Sequence, residues 1–144
     1  MPVTDRDNVN VPTKFQAPQG FQGPIIWKSP ANIALIKYWG KKGHQLPCNP
    51  SLSMTLRESC TITALSWRDN PGKGPQVKFT FAGKSEEKWV KRIEKYLQTI
   101  LPHMPALSDL DLAIESQNLF PHSAGMASSA SAFSALALCL CSLD

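Results

Sequence analysis

No apolar run reaches the roughly 18 to 20 residues that a helical membrane span needs. The stretch from Met1 to about Pro24 also lacks the apolar core of about 7 to 15 residues that a secretory signal requires. These absences predict a cytoplasmic chain with no membrane partner, behind a loosely ordered leader of residues 1–24. Cysteine is sparse, with four in 144 residues. Cys48, Cys60, Cys139 and Cys141 form no Cys-x-x-Cys pair and no His stands at finger spacing, so no zinc site is expected. Cys139 and Cys141 fall in an apolar helical run, where a thiol acts as a small buried hydrophobe; all four are expected to be reduced and structural. Arginine is also scarce and scattered, at Arg6, Arg57, Arg68 and Arg92. A sheet that reads RNA carries a stripe of exposed aromatics and arginines, so nucleic acid is not the expected partner. There is no internal repeat and no regular strand–helix–strand alternation.

What is present is enough for a core. Hydrophobic residues make up 42% and charged residues 18%, the balance of a packed domain rather than a disordered chain. Fifteen Lys plus Arg against eleven Asp plus Glu leave a formal charge of +4, which suits an anionic partner.

Pro24 to Ser29 reads as a short strand that stops at Pro30. Ile33 to Trp39 reads as a second strand, apolar on both sides, with Gly40 and Gly43 after it. Ser51 to Leu56, Cys60 to Trp67 and Val77 to Phe81 are β-rich, and Asp69 to Pro75 is a turn. A helix follows, with Ser85 as its cap, Glu86 and Glu87 at the positive end of its dipole, and Trp89, Ile93, Tyr96 or Leu97, and Ile100 on one face. Pro102 ends it. Leu110 to Glu115 alternates as a strand, with Asp109, Asp111 and Glu115 assigned to a solvated face. Asn118 to Ala127 is a loop, in which His122 is a surface residue. The last helix, about Ser128 to Leu143, has almost no polar face, which predicts burial on most sides. No Gly or Pro stop follows Leu143. The order of elements predicts an α+β domain, with helices on one face of a mainly antiparallel sheet.

Two segments carry chemistry. In Pro121-His122-Ser123-Ala124-Gly125-Met126-Ala127-Ser128-Ser129-Ala130-Ser131-Ala132, Gly125 permits a sharp turn, and the small neighbours leave backbone amides uncovered. The helix starting near Ser128 adds unpaired N–H groups, the positive end of its dipole, and the hydroxyls of Ser128, Ser129 and Ser131. A phosphate chain suits that arrangement, although no Walker A pattern is present. Serines that merely cap the helix are the alternative reading of this segment alone. In the second segment, Lys37, Lys41 and Lys42 surround Tyr38 and Trp39 at the end of an apolar strand. An ammonium such as that of Lys37 within an apolar run calls for an anionic partner, a phosphate or carboxylate. A lysine that snorkels from a sheet edge is the alternative.

Pro-Ala-Asn-Ile-Ala-Leu-Ile-Lys-Tyr-Trp-Gly-Lys, starting at Pro30, and Pro-x-x-x-Gly-Met-Ala-Ser-Ser-Ala-Ser-Ala, about ninety residues later, together resemble diphosphomevalonate decarboxylase of the GHMP kinase superfamily. Leu46 to Ser53 and Asn118 to Pro121 fall where that family has similar segments, and the resemblance runs from about Trp27 to the end of the chain. It implies a ribosomal protein S5 domain 2-like fold, residues 25–144 forming an N-terminal GHMP-type domain. It also implies an ATP-dependent conversion of mevalonate 5-diphosphate to isopentenyl diphosphate, with loss of phosphate and carbon dioxide, in a homodimer. Lys37, Tyr38, Trp39, Gly40 and Lys41 would form the wall for the substrate diphosphate. Ser123, Ala124, Gly125, Met126, Ala127, Ser128, Ser129, Ala130 and Ser131 would hold the ATP phosphates, with magnesium arriving on ATP near Ser128 or Ser129 and no metal site of the chain's own. Met126 replaces the family's common Leu, and Pro50 a common Ser, so a hydroxyl is missing there. The family's catalytic aspartate and its substrate-carboxylate arginine are expected beyond Asp144, and such an active site takes more than twice this length. By the resemblance the chain is the front part of an enzyme, inactive alone. A decarboxylase-like mevalonate kinase, or a non-catalytic anion-binding module, is the other reading.

Overall fold

A computed structural model describes residues 15–43, 46–120 and 128–143. Four strands form the main sheet: β1 (Gln22–Ile36), β4 (Leu52–Asp69), β5 (Val77–Phe81) and β6 (Leu110–Asn118). Two short strands, β2 (Lys41–Lys42) and β3 (Leu46–Pro47), pair apart from it. The order across the main sheet is β1-β4-β6-β5, antiparallel except for the parallel pair β5 and β6. Helix α1 (Glu87–Ile100) makes the crossover between those parallel strands, and α2 (Ser128–Leu140) ends the described chain.

Both helices lie on one face, as the element order predicts. Along β4 the side chains alternate between faces. Leu65 turns toward the helices, in a core with Phe79, Ile93, Leu97, Leu107, Leu112, Ile114, Leu136, Cys139 and Leu140. Ile62 and Ala64 turn the other way and meet Phe15, with Ile26 and Leu119 beside them. Thus β4 is covered on both faces from Cys60 to Ser66, and a residue from the expected leader, Phe15, supplies part of the cover.

Several local expectations are corrected. Pro30 does not stop a strand: β1 runs through it, opposite Cys60. The reason is position, since β1 is an edge strand and the donor that proline lacks would face away from β4. The next pair is Ala31 with Leu56, so Arg57, Glu58 and Ser59 form a bulge that joins two expected strands into one β4. At the other end β1 stops at Ile36 rather than Trp39. Ser85 does not cap α1, whose N-cap position is Glu86 with no side-chain cap bond. The first turn is held instead by an exposed Glu87–Lys91 pair at 2.6 Å, worth only a few tenths of a kcal/mol.

The last helix ends at Leu140, and only one of its faces is buried, through Ser131, Ala135, Leu136, Cys139 and Leu140. Ala137 and Leu138 are half-buried, and Cys141, expected inside, is exposed. The Trp27 indole N–H donates to the Ser142 hydroxyl at 3.0 Å, fixing the end of α2 to β1.

Asp111, assigned from sequence to a solvated face, is buried. It accepts from the Arg68 guanidinium and, at 2.6 Å, from Asn70 Nδ2. Phe21 stacks under Arg68 at 4.9 Å. The hydrogen bond from Arg68, with that from Asn70, holds the Asp111 carboxyl below its ordinary range against the opposing effect of burial. This cluster closes the β4–β5 turn, where Asp109 also accepts from the Gly72 N–H at 3.0 Å.

Candidate functional site

Beyond the bulge, β1 and β4 continue as a two-stranded ribbon. Ile33, Leu35, Ile36, Leu52 and Met54 stand exposed on it. All five residues of the expected diphosphate wall lie together at its tip. Past the last ladder pair, Ile36 with Leu52, the backbone of Lys37 to Trp39 has left the sheet. Two of its polar groups are met by one side chain: the Trp39 N–H donates to Asn49 Oδ1 at 2.6 Å, and Asn49 Nδ2 donates to the Lys37 carbonyl at 3.4 Å; the same Nδ2 donates to the Pro50 carbonyl at 2.8 Å. Gly40 follows at φ +73°, a left-handed turn that a side chain would strain. Its carbonyl accepts from the Cys48 N–H at 3.2 Å, and Lys41 and Lys42 then pair with Pro47 and Leu46.

Lys37 is exposed, so the expectation of a cation trapped in an apolar run is corrected: it stands in water at the strand's end and needs no partner to offset burial. Lys41 Nζ lies 5.8 Å from the centre of the Tyr38 ring, a cation–π distance. Trp39 is 81% exposed. Sequence reasoning missed Asn49, although the signal was there: an Asn before a Pro in a turn-rich stretch is a residue that bonds nearby backbone.

The second region is the start of α2. Ser123 to Ala127, and His122, lie outside the described residues. Ser128 and Ser129 are half-buried and line an apolar pocket with Phe79, Phe81, Trp89 and Phe133. Ala130 is exposed beside them. Ser131 points the other way. It is fully buried, meets the Thr61 hydroxyl at 2.7 Å and donates to the Ser128 carbonyl at 3.0 Å. Thr61 in turn donates to Asn118 Oδ1 at 2.9 Å. The Ser131 hydroxyl thus ties the helix to β4 and β6, which leaves Ser128 and Ser129 as the hydroxyls at the helix start. Among the described residues no group of three or more His, Cys, Asp or Glu is placed to hold a metal ion.

The chain as a whole is similar to known proteins. The chain is 35% identical over 127 residues to the diphosphomevalonate decarboxylase of Ganoderma lucidum, a match covering 80% of this chain and 32% of that protein. Among solved structures, the mevalonate diphosphate decarboxylase of Staphylococcus aureus is 38% identical with a TM-score of 0.62, covering 80% of this chain and 36% of that one. The Enterococcus faecalis enzyme, whose ATP binding is mediated by mevalonate diphosphate, is 36% identical with a TM-score of 0.62 and the same coverage. The chain spans about a third of the length of the curated relatives it matches. The family model for the diphosphomevalonate decarboxylase-like N-terminal domain matches residues 29–144, and the chain belongs to that family.

Proposed function

We propose that this chain supplies the anion-holding part of an ATP-dependent diphosphomevalonate decarboxylase, acting in the cytoplasm on mevalonate 5-diphosphate. Residues 25–144 form its N-terminal domain, and the complete enzyme works as a homodimer. The observation that carries the reading is the pinned loop from Lys37 to Lys41, where two lysines and an open backbone turn sit on a two-stranded ribbon outside the core. A diphosphate is multiply charged and strongly hydrated, and fixed ammonium groups replace its water at low cost only when they are already in place. Lys37, Tyr38, Trp39, Gly40 and Lys41 form that wall.

The residues at the start of α2 fit an ATP phosphate chain. The helix presents its positive end and unpaired N–H groups, Ser128 and Ser129 add hydroxyls, and the aromatic pocket beside them offers a dry surface. Magnesium would ride on the ATP phosphates, with Ser128 and Ser129 the protein oxygens near it. ATP supplies the phosphoryl group that turns the substrate's tertiary hydroxyl into a leaving group. The part played by this chain is to align the two phosphate-bearing molecules and screen their repulsion. The catalytic aspartate belongs to the rest of the enzyme.

A chimera in which this chain replaces the matching third of the Staphylococcus aureus enzyme tests the proposal. Carbon dioxide release from mevalonate 5-diphosphate and ATP is the expected result, while the 144-residue chain alone releases none. A folded but inactive chimera, or turnover by the isolated chain, would reject it.

A further inference from the structure

We propose that Asn49 is a positioning residue for the diphosphate wall, an inference that rests on reading Lys37 to Lys41 as that wall. Between the ladder pair of Ile36 with Leu52 and the contact of Gly40 with Cys48, no strand among the described residues faces the segment from Lys37 to Trp39. The Asn49 carboxamide takes a strand's place there. It carries an acceptor and donors on one planar group, and it offers the acceptor to the Trp39 N–H and a donor to the Lys37 carbonyl, the groups on either side of Tyr38. Its remaining bond, to the Pro50 carbonyl, anchors the carboxamide to the chain leading into β4. The β1 side of the loop is thereby bolted to the β4 side at a point where the ladder has a gap.

This bolt serves no core. Every residue from Asn32 to Gly43 is exposed, so releasing this backbone uncovers no buried apolar side chain of its own. What the bolt sets is where two lysines start. Lys37 is held by its own carbonyl, and Lys41 lies two residues past the fixed Trp39 with its ammonium over the Tyr38 ring. A lysine loses up to about 2 kcal/mol of side-chain freedom when it is ordered, and a loop that also moves adds its own ordering cost at the moment of binding. With the backbone already fixed, that cost is met before the diphosphate arrives.

The test compares the active chimera, its Asn49→Ala variant and its Lys41→Met variant by calorimetric titration with mevalonate 5-diphosphate and, separately, with Mg-ATP, alongside thermal denaturation midpoints. Asn49→Ala is expected to weaken mevalonate 5-diphosphate about tenfold, the scale of one or two lost hydrogen bonds, with ATP affinity and midpoint unchanged. Unchanged affinity for mevalonate 5-diphosphate in Asn49→Ala overturns the inference. So does a joint fall of both affinities and the midpoint, which would make Asn49 a residue of general stability. If Lys41→Met binds mevalonate 5-diphosphate as the parent does, or the parent does not bind it, the wall itself is misread and the inference goes with it.

Discussion

The Thr61 and Ser131 hydroxyls meet at 2.7 Å in the protein interior, joining the middle of β4 to the first turn of α2. Asn118 Oδ1 lies 2.9 Å from the Thr61 hydroxyl on the β6 side and the Ser128 carbonyl 3.0 Å from that of Ser131, so two hydroxyl protons are shared among three contacts that fix the helix start against two strands. The position of the helix start is therefore set by buried groups.

Thr61→Val removes this link while keeping the side chain's shape; Asn118 Oδ1 loses its donor, while the Ser131 hydroxyl keeps the Ser128 carbonyl. A loss of about 1–3 kcal/mol is expected, because buried groups left unpaired cost more than the bond they made. Urea denaturation of the two proteins measures it.

Asp111 gives stability an acid limit of its own. Its carboxyl is held below the ordinary value of 3.8, so its contribution is complete above that value and is lost as pH falls through the lowered one. Asp111→Asn is expected to be less stable at neutral pH and to show a shallower decline on acidification. Denaturation midpoints measured between about pH 6 and pH 2 would give parallel curves if Asp111 were uncoupled from folding.

Cys139 lies wholly buried, and burial pushes its thiol up to about 12. Iodoacetamide at about pH 8 is expected to label the exposed Cys48 and Cys141 and to spare Cys139, as read by mass spectrometry. The native thiol keeps its proton past 9.0, the value of a free one, so stability is full below that pH and declines toward about 12. The slope is at most about 1.4 kcal/mol per pH unit. Cys139→Ala should flatten that decline, and an unchanged slope would assign it elsewhere.

Lys37→Met and Lys41→Met, made in the active chimera, are each expected to raise the KM for mevalonate 5-diphosphate about tenfold or more, the loss of a charge-assisted contact. The KM for ATP should stay near its parent value. Unchanged kinetics would remove the lysine concerned from the wall.

Much of this arrangement was legible along the chain. The alternation of Val77, Phe79 and Phe81, the three-and-four spacing from Trp89 to Ile100, and the Ser-Ser-Ala-Ser helix start each depend on neighbours within a few residues, so periodicity and turn chemistry suffice to find them. Pro30 defeated that logic because the cost of a proline depends on whether a strand has one neighbour or two. Asp111 defeated it because its partners, Arg68 and Asn70, stand more than forty residues away.

The sequence by itself determined the kinds and order of the main elements and singled out the two motifs proposed to hold anions, since these follow from side-chain period, glycine placement and local charge. Only the tertiary structure decided that β1 passes through Pro30 as an edge strand and that the Ser131 hydroxyl is buried against Thr61. It alone showed that Asn49 bridges Lys37 and Trp39. Each of these is a pairing between groups from different parts of the chain, set by strand register and by which face of an element is covered, and neither quantity is written in any local stretch of residues.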